Sequence, residues 1–296
     1  GVILSAHTSL CAGAINNWGT EEQKQKFLRP LVDGSKLGAF GLTEPEAGTD
    51  AAGQQTKAVL DGDEWVITGN KIFITNAGEA DTYVIFAMTD KSAGTRGITA
   101  FIIEKGTPGF EFGINEKKMG IRGSATRELI FRDCRIPKDQ LLGQEGKGFG
   151  VAMSTLDDGR IGIAAQALGI AGGALDKVVA YVKERKQFGR PISAFQNTQF
   201  KLAEMKIELE AARYLVYLAA SKYDKREKHS VEAAMAKLKA SRVASYVTNL
   251  AVQLHGGYGY IQDYEVERMM RDAKITEIYE GTSEVMLMVV SAALLK

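Results

Sequence analysis

One carboxylate near the C-terminal end has the setting of a general base. The run Ile278-Tyr279-Glu280-Gly281-Thr282-Ser283-Glu284 puts Glu280 directly before a glycine. Glycine stops helices, and Thr282 or Ser283 can cap the helix that follows. Glu280 is therefore expected on a tight corner between two helices, beside Ile278 and Tyr279. An apolar corner disfavours the charged carboxylate and raises its pKa, which suits proton abstraction at neutral pH. A surface glutamate at a helix end would have the same local sequence, and these residues alone leave both readings open.

Four other stretches carry chemistry-capable side chains. Ala39-Phe40-Gly41-Leu42-Thr43-Glu44-Pro45-Glu46-Ala47-Gly48-Thr49-Asp50 cannot be a regular helix with Pro45 and Gly48 inside it. Its hydroxyls and backbone N–H groups could meet a polar ligand, or it could be a plain connector. Arg185-Lys186-Gln187-Phe188-Gly189-Arg190-Pro191 sets three cations in a turn. They could hold phosphate or complement a helix dipole. Gln253-Leu254-His255-Gly256-Gly257-Tyr258-Gly259-Tyr260 lets backbone approach a ligand closely, or marks a helix stop. Asp157 and Arg160, three apart, share one helix face, and a solvated ion pair would look the same.

The elements that must position these residues follow from periodicity. Residues 1–38 read as helical. Thr20-Glu21-Glu22-Gln23 has the form of a capping box, and Gly34 ends the run. From Lys57 to Pro137 the pattern changes to β-branched and aromatic runs: Trp65–Thr68, Lys71–Thr75, Thr82–Met88, Ile98–Ile103 and Glu128–Phe131. Turn residues such as Asp61-Gly62-Asp63, Gly69-Asn70 and Thr107-Pro108-Gly109 separate them. An antiparallel β-domain, a small barrel or sandwich, is expected. The absence of intervening helices argues against a Rossmann unit. After Gly146-Lys147-Gly148 four helical stretches follow: Phe149–Glu184, Gln196–Lys225, Val231–Leu254 and Val285–Leu295. They read as an antiparallel bundle. The expected class is α+β multidomain. Residues 1–38 form a partial N-terminal helical segment, 39–145 a middle antiparallel β-domain, and 146–296 a C-terminal four-helix bundle.

Composition sets the outer limits. The 296 residues are 45% apolar and 25% charged with a net charge of +1, ordinary for a soluble protein and without an electrostatic draw to nucleic acid or anionic membrane. Cys11 and Cys134, far apart, read as free thiols in a reducing compartment. No metal-ligand spacing, signal peptide or stretch approaching a membrane span is read. The chain starts at Gly1 inside an apolar run, as a fragment would.

Taken in order, these motifs resemble the acyl-CoA dehydrogenase family of flavoenzymes. The resemblance rests on the Thr43-Glu44-Pro45-Glu46-Ala47-Gly48-Thr49-Asp50 loop, Phe73-Ile74-Thr75-Asn76, Arg185-Lys186-Gln187-Phe188-Gly189, Gln253-Leu254-His255-Gly256-Gly257 and Ile278-Tyr279-Glu280-Gly281-Thr282-Ser283-Glu284. It covers the whole chain and looks nearest to the short-chain, bacterial butyryl-CoA group, partly through Met153 to Gly162. The family's fold is an N-terminal helical domain, a middle β-domain and a C-terminal bundle, of which this chain would hold only the last part of the first.

The resemblance implies FAD. Phe40, Leu42, Thr43, Gly48, Thr49, Phe73, Ile74 and Thr75 would line the flavin ring and ribityl chain. Arg185, Gln187, Phe188, Gln196, Gln253, Gly256 and Gly257 would reach the pyrophosphate and adenine end of a neighbouring subunit's FAD. That sharing makes the protein a homo-oligomer, similar to the family's tetramers. Thr282, Ser283 and Glu284 would close over the cofactor, while Thr49, Asp157, Arg160 and Gly281 would border acyl-CoA.

Glu280 would be the catalytic base. It would take the α-proton of the thioester while the β-hydride passes to flavin N5, giving a trans-2-enoyl-CoA. Its backbone N–H would help hold the developing oxyanion. Electrons would pass to an electron-transfer flavoprotein. Some family members carry the base at the position of Gly159, which here has no side chain to serve. An acyl-CoA oxidase and a non-catalytic CoA-binding scaffold are the alternatives. The resemblance implies a cytoplasmic location in a bacterium, or the mitochondrial matrix in a eukaryote.

Overall fold

A computed structural model describes residues 1–295. The chain divides into two compact units. One comprises 1–117 and 122–159, the other 118–121 and 160–296.

The first unit opens with helix α1 (2–18), whose middle turn widens to π hydrogen bonding over Ala6–Ala12, and helix α2 (21–32). The expected capping box is formed: the Gln23 N–H donates to Thr20 Oγ1 at 3.2 Å and the Thr20 N–H to Gln23 Oε1 at 3.1 Å. Eight strands make one sheet: β1 (Gly38–Gly41), β2 (Lys57–Asp61), β3 (Glu64–Thr75), β4 (Thr82–Met88), β5 (Ile98–Glu104), β6 (Phe110–Phe112), β7 (Thr126–Pro137) and β8 (Leu141–Leu142). Their order is β6-β7-β3-β2-β4-β5-β8, with β1 beside β4. Most pairs are antiparallel as expected, but β1 runs parallel to β4, Gly38 opposite Thr82 and Gly41 opposite Ile85.

Every residue of β4 is buried, because both faces of the sheet are covered. Val84, Phe86 and Met88 pack with Leu10, Ile15, Phe27 and Leu31 of the helices. Tyr83, Ile85 and Ala87 point the other way, onto Trp65, Ile67, Leu129 and Phe131. A strand buried on both faces reads as a continuous apolar run, which is how Tyr83–Met88 appears in the sequence.

Within the sheet, one expected turn is corrected. Gly69-Asn70 is not a turn. It continues β3 across a bulge, with a register shift against β7 between Ile67 and Gly69. Gly69 has φ 144°, and a Cβ there would lie 2.6 Å from Thr56 Oγ1 and 2.7 Å from its Cα. Glycine marks close backbone approach here, not chain reversal.

The second unit is helical. Helix α3 (Gly148–Glu184) begins in the first unit and continues into this one. Then come α4 (Gln196–Asp224), α5 (Ser230–His255), α6 (Val266–Lys274) and α7 (Ser283–Leu294). Its core is built from small and medium side chains, Ala164, Ala167 and Ala171 of α3 against Met205 and Ala212 of α4 and Ala240, Ala244 and Val247 of α5. Contrary to the sequence expectation, α3 is long and apolar enough to cross a membrane by length and composition. Its apolar stripe is instead spent on this core, where Leu168, Leu175, Val178 and Val182 are also buried.

Candidate active site

The corner at Glu280 is assembled within the second unit. Helix α6 ends at Lys274, a single 3-10 turn Ile275–Glu277 follows, and the Tyr279 N–H donates back to Ile275 O at 3.1 Å. Glu280 then adopts φ 53° and Gly281 φ 103°. A left-handed glutamate is unusual and persists only where its surroundings hold it. Thr282 caps α7, accepting from the Val285 N–H at 3.4 Å.

Two cations grip successive carbonyls of this turn. Arg160 Nε, on buried Arg160 of α3, donates to Glu280 O at 3.2 Å. Lys237 Nζ, from the fully buried Lys237 of α5, donates to Gly281 O. Tyr279 is fixed by its hydroxyl, which donates to Gln166 Oε1 at 2.9 Å.

The Glu280 side chain ends in a protected place. Its Oε2 is shut off from solvent and has no hydrogen-bond partner. Burial pushes the Glu280 pKa up to about 7, against the opposing pull of Lys237 and Arg160. A carboxylate titrating near neutrality, with an orphan oxygen, can both carry charge and receive a proton.

In the first unit, the loop after β1 is locked by a buried ion pair. Glu44 accepts from Lys71 Nζ at 2.7 Å and from the backbone N–H groups of Gln55, at 2.6 Å, and Thr56, at 3.1 Å. Lys71 Nζ also donates to Gln54 Oε1 at 2.7 Å and Leu42 O at 3.2 Å. Burial pushes the Lys71 pKa down to about 8 despite Glu44. Burial opposes the Glu44 charge, but Lys71 and the hydrogen bonds outweigh it and keep its pKa below the usual value. The strand facing this loop bulges between Lys71 and Ile74. Phe73, at φ 57°, is thereby turned out of the sheet and 62% exposed.

The second unit also holds a cleft of about 540 Å³. Arg185, Gln187, Gln253, Gly256 and Gly257 line it together with Tyr181, His255 and Tyr258. The Arg185 guanidinium lies 5.1 Å from the Tyr258 ring centre, and Tyr181 stacks on His255 at 4.1 Å. Gly256 has φ 62° and ψ −139°, a region essentially restricted to glycine. A Cβ at Gly256 or Gly257 would meet no protein atom within 4 Å, so it would project into open space. A guanidinium, amides, aromatic faces and bare backbone together suit a ligand with an anionic pyrophosphate and a nucleoside base.

Models of the acyl-CoA dehydrogenase N-terminal, middle and C-terminal domains match residues 1–35, 39–134 and 146–295. The chain belongs to the acyl-CoA dehydrogenase family. It is 62% identical over 296 residues to the short-chain specific acyl-CoA dehydrogenase of Clostridium acetobutylicum, covering all of this chain and 78% of that one. It superimposes on the butyryl-CoA dehydrogenase of Megasphaera elsdenii with a TM-score of 0.99 at 60% identity, covering 77% of that chain. A structure described as the electron transferring flavoprotein of Acidaminococcus fermentans contains a chain matching with a TM-score of 0.99 and 62% identity, 78% of it covered. Acyl-CoA dehydrogenases are FAD-dependent oxidoreductases, and the chemistry of the cleft and of the β1 loop fits that cofactor.

Within the acyl-CoA dehydrogenase frame the expected residues are distributed as follows. Phe40, Leu42 and Ile74 are core residues, Phe40 packing edge-on to Phe86 at 5.1 Å. Their side chains are turned into the core and not towards a ligand, and the Leu42 carbonyl is taken by Lys71 Nζ. Thr43 and Thr75 are half-buried, and Gly48 and Thr49 are exposed. Phe188 is 93% exposed on the hairpin between α3 and α4, and neither it nor exposed Gln196 lines the cleft. Thr282, Ser283 and Glu284 form the start of α7, and Asp157 is half-buried on α3.

Sequence reasoning missed Lys71, Gln54, Lys237 and Tyr181. Lys237 had a signal. It occupies the apolar stripe Ala233, Lys237, Ala240, Ala244, Val247 at helical spacing, where a lysine needs a buried partner.

Proposed function

We propose that the chain catalyses α,β-dehydrogenation of a short-chain, butyryl-like acyl-CoA to the trans-2-enoyl-CoA, with Glu280 as the base that removes the α-proton. The buried, unpartnered Glu280 Oε2 carries this reading. An α-proton of a thioester is only weakly acidic. Its removal needs a base kept from water, held in place, and ready to hold the proton until release.

The corner meets each need. The left-handed turn aims the side chain while Arg160 and Lys237 fix the peptide carbonyls on either side of Gly281. A pKa of about 7 leaves a substantial anionic fraction at neutral pH with enough basicity to accept a carbon-bound proton. The Glu280 backbone N–H is assigned to the thioester oxygen, where enolate charge gathers. Bound FAD supplies the two-electron acceptor for the β-hydrogen. Lys71 and Glu44 hold the β1 loop, and Thr43 and Thr49 on it are assigned to the cofactor. Arg185 and the Gly256-Gly257 backbone are assigned to the pyrophosphate end.

The substrate class is supported by the naming of the Clostridium and Megasphaera relatives. The electron acceptor is proposed to be an electron-transfer flavoprotein, supported by the description of the Acidaminococcus structure. Self-association is part of the proposal. Leu287 and Met288 on α7 and Tyr214, Tyr217 and Leu218 on α4 are exposed, and such surface is suited to burial against further copies of the chain. Anaerobic titration of the holoenzyme with acyl-CoAs of graded chain length, followed by loss of flavin absorbance, tests the function. Full bleaching by a C4 thioester with weaker response to C8 and longer is expected. No bleaching by any acyl-CoA would overturn it.

A further inference from the structure

We propose that Lys237 is a positioning residue of the catalytic corner: its buried ammonium holds the Gly281 carbonyl and stands as counter-charge to the Glu280 carboxylate, so one side chain fixes both the turn and the charge that proton removal needs. The inference rests on Glu280 being the base.

The geometry is unusual for a lysine. Lys237 has no solvent-exposed surface, although burying an ammonium is costly unless it is paired and hydrogen-bonded. The surrounding α5 residues Ala233, Ala236, Ser241 and Ala244 are small and buried, which leaves room for the long stem. Its ammonium donates to the corner itself, at Gly281 O. No structural need of the bundle calls for a charge at this point of an otherwise apolar stripe. An aliphatic side chain would fill it at lower cost.

The charges facing this group come from three elements. Glu280, Glu277 and Glu284 lie on the corner and the start of α7, and Arg160 reaches in from α3. Glu277 is already engaged by Ser245 and Lys274, each at 2.6 Å, and Glu284 is exposed. Glu280 is thus the buried carboxylate left for Lys237 to balance. Arg160 also bears on the Glu280 carboxylate, more weakly than Lys237, while its Nε donates to the Glu280 carbonyl. Arg242, on α5, acts on Glu277 and Glu284.

Burial pushes the Lys237 pKa down to about 8, with Glu280 the main opposing influence. The ammonium is therefore charged across the neutral range in which Glu280 must ionise.

The test uses FAD-loaded Lys237→Met and Lys237→Gln enzymes. The first removes charge and donor, while the second keeps a donor without charge. In both, the acid limb of the kcat/KM pH profile is expected to move up by about one pH unit, the usual effect of removing a neighbouring opposite charge. Rate at pH 6.5 falls several-fold more than at pH 9, with flavin content and KM near those of the parent. Lys237→Gln is expected to retain more kcat at pH 9 than Lys237→Met, because it can still hold Gly281 O. An unmoved limb in a folded, flavin-loaded variant overturns the proposal, and so does an equal loss at every pH. Should Lys237→Met fail to fold, Lys237→Gln decides alone. Glu280→Gln is assayed in parallel. If it stays active, the base has been misassigned, a failure distinct from an unmoved limb with Glu280→Gln inactive.

Discussion

Replacing Glu280 by Gln should make the protein more stable, by an amount that grows as pH rises above about 4.5 and is full above about 7. Glutamine keeps the size of the side chain and mimics the protonated acid. Burial raises the Glu280 pKa from 4.5 to about 7. At roughly 1.4 kcal/mol per pH unit, ionising this group in the folded chain costs about 3 kcal/mol. The sign follows from proton binding. Between pH 4.5 and about 7 the folded chain keeps the Glu280 proton and the unfolded chain does not. Stability therefore falls as pH rises through that window and stays lowered above it.

Lys237 acts in the opposite sense. Its pKa drops from 10.5 to about 8, so the unfolded chain holds more protons between those values and stability recovers as pH rises from 8 towards 10.5. The corner therefore weighs most on the fold between about pH 7 and 8, where both groups are charged. Denaturant unfolding of FAD-loaded parent and Glu280→Gln at a series of pH values measures this. Near pH 4.5 the two should coincide. At pH 8 the variant should be more stable by about 3 kcal/mol, or several degrees in Tm for a chain of this size. A constant difference across pH, or a less stable variant at pH 8, would refute the reasoning.

Three further outcomes are expected. Lys71→Met leaves the Glu44 carboxylate buried without its counter-ion, and should cost about 3–5 kcal/mol in urea unfolding, more than it costs in FAD affinity once folded. Gly281→Ala places a Cβ 2.7 Å from Met286 Cε at φ 103°. It should lower stability by about 1–3 kcal/mol and depress kcat through the displaced corner, read by Tm and steady-state rates. Gly256→Ala and Arg185→Ala should each weaken FAD retention about tenfold or more, measured by flavin release on dilution, with little change in the helical circular dichroism signal.

Much of the fold was legible because burial and periodicity coincide. Tyr83–Met88 is apolar throughout since both sides of β4 are covered, and the three long helices α3, α4 and α5 carry their core residues at helical spacing. Gly38–Gly41 was not legible as a strand. Its sequence has no alternation, and its extended form is set by parallel pairing to β4. Gly69-Asn70 has turn composition, yet the close passage of Thr56 requires a glycine inside a bulged strand. At the site, the tight corner that carries Glu280 was legible from Gly281 and Thr282. Lys71 was not, because a lysine in sequence carries the expectation of solvent, and Lys237 was marked only by its place in the apolar stripe of α5. Only the three-dimensional packing reveals that one is neutralised by Glu44 and the other directed at Gly281.

The central claim is that Glu280 removes the α-proton. Rapid anaerobic mixing of FAD-loaded parent and Glu280→Gln with butyryl-CoA, following flavin bleaching in a single turnover, tests it most directly. Loss of a positioned general base should slow bleaching by about 10²–10⁴-fold, with flavin content and acyl-CoA binding retained. Bleaching of Glu280→Gln at the parent's rate would contradict the account.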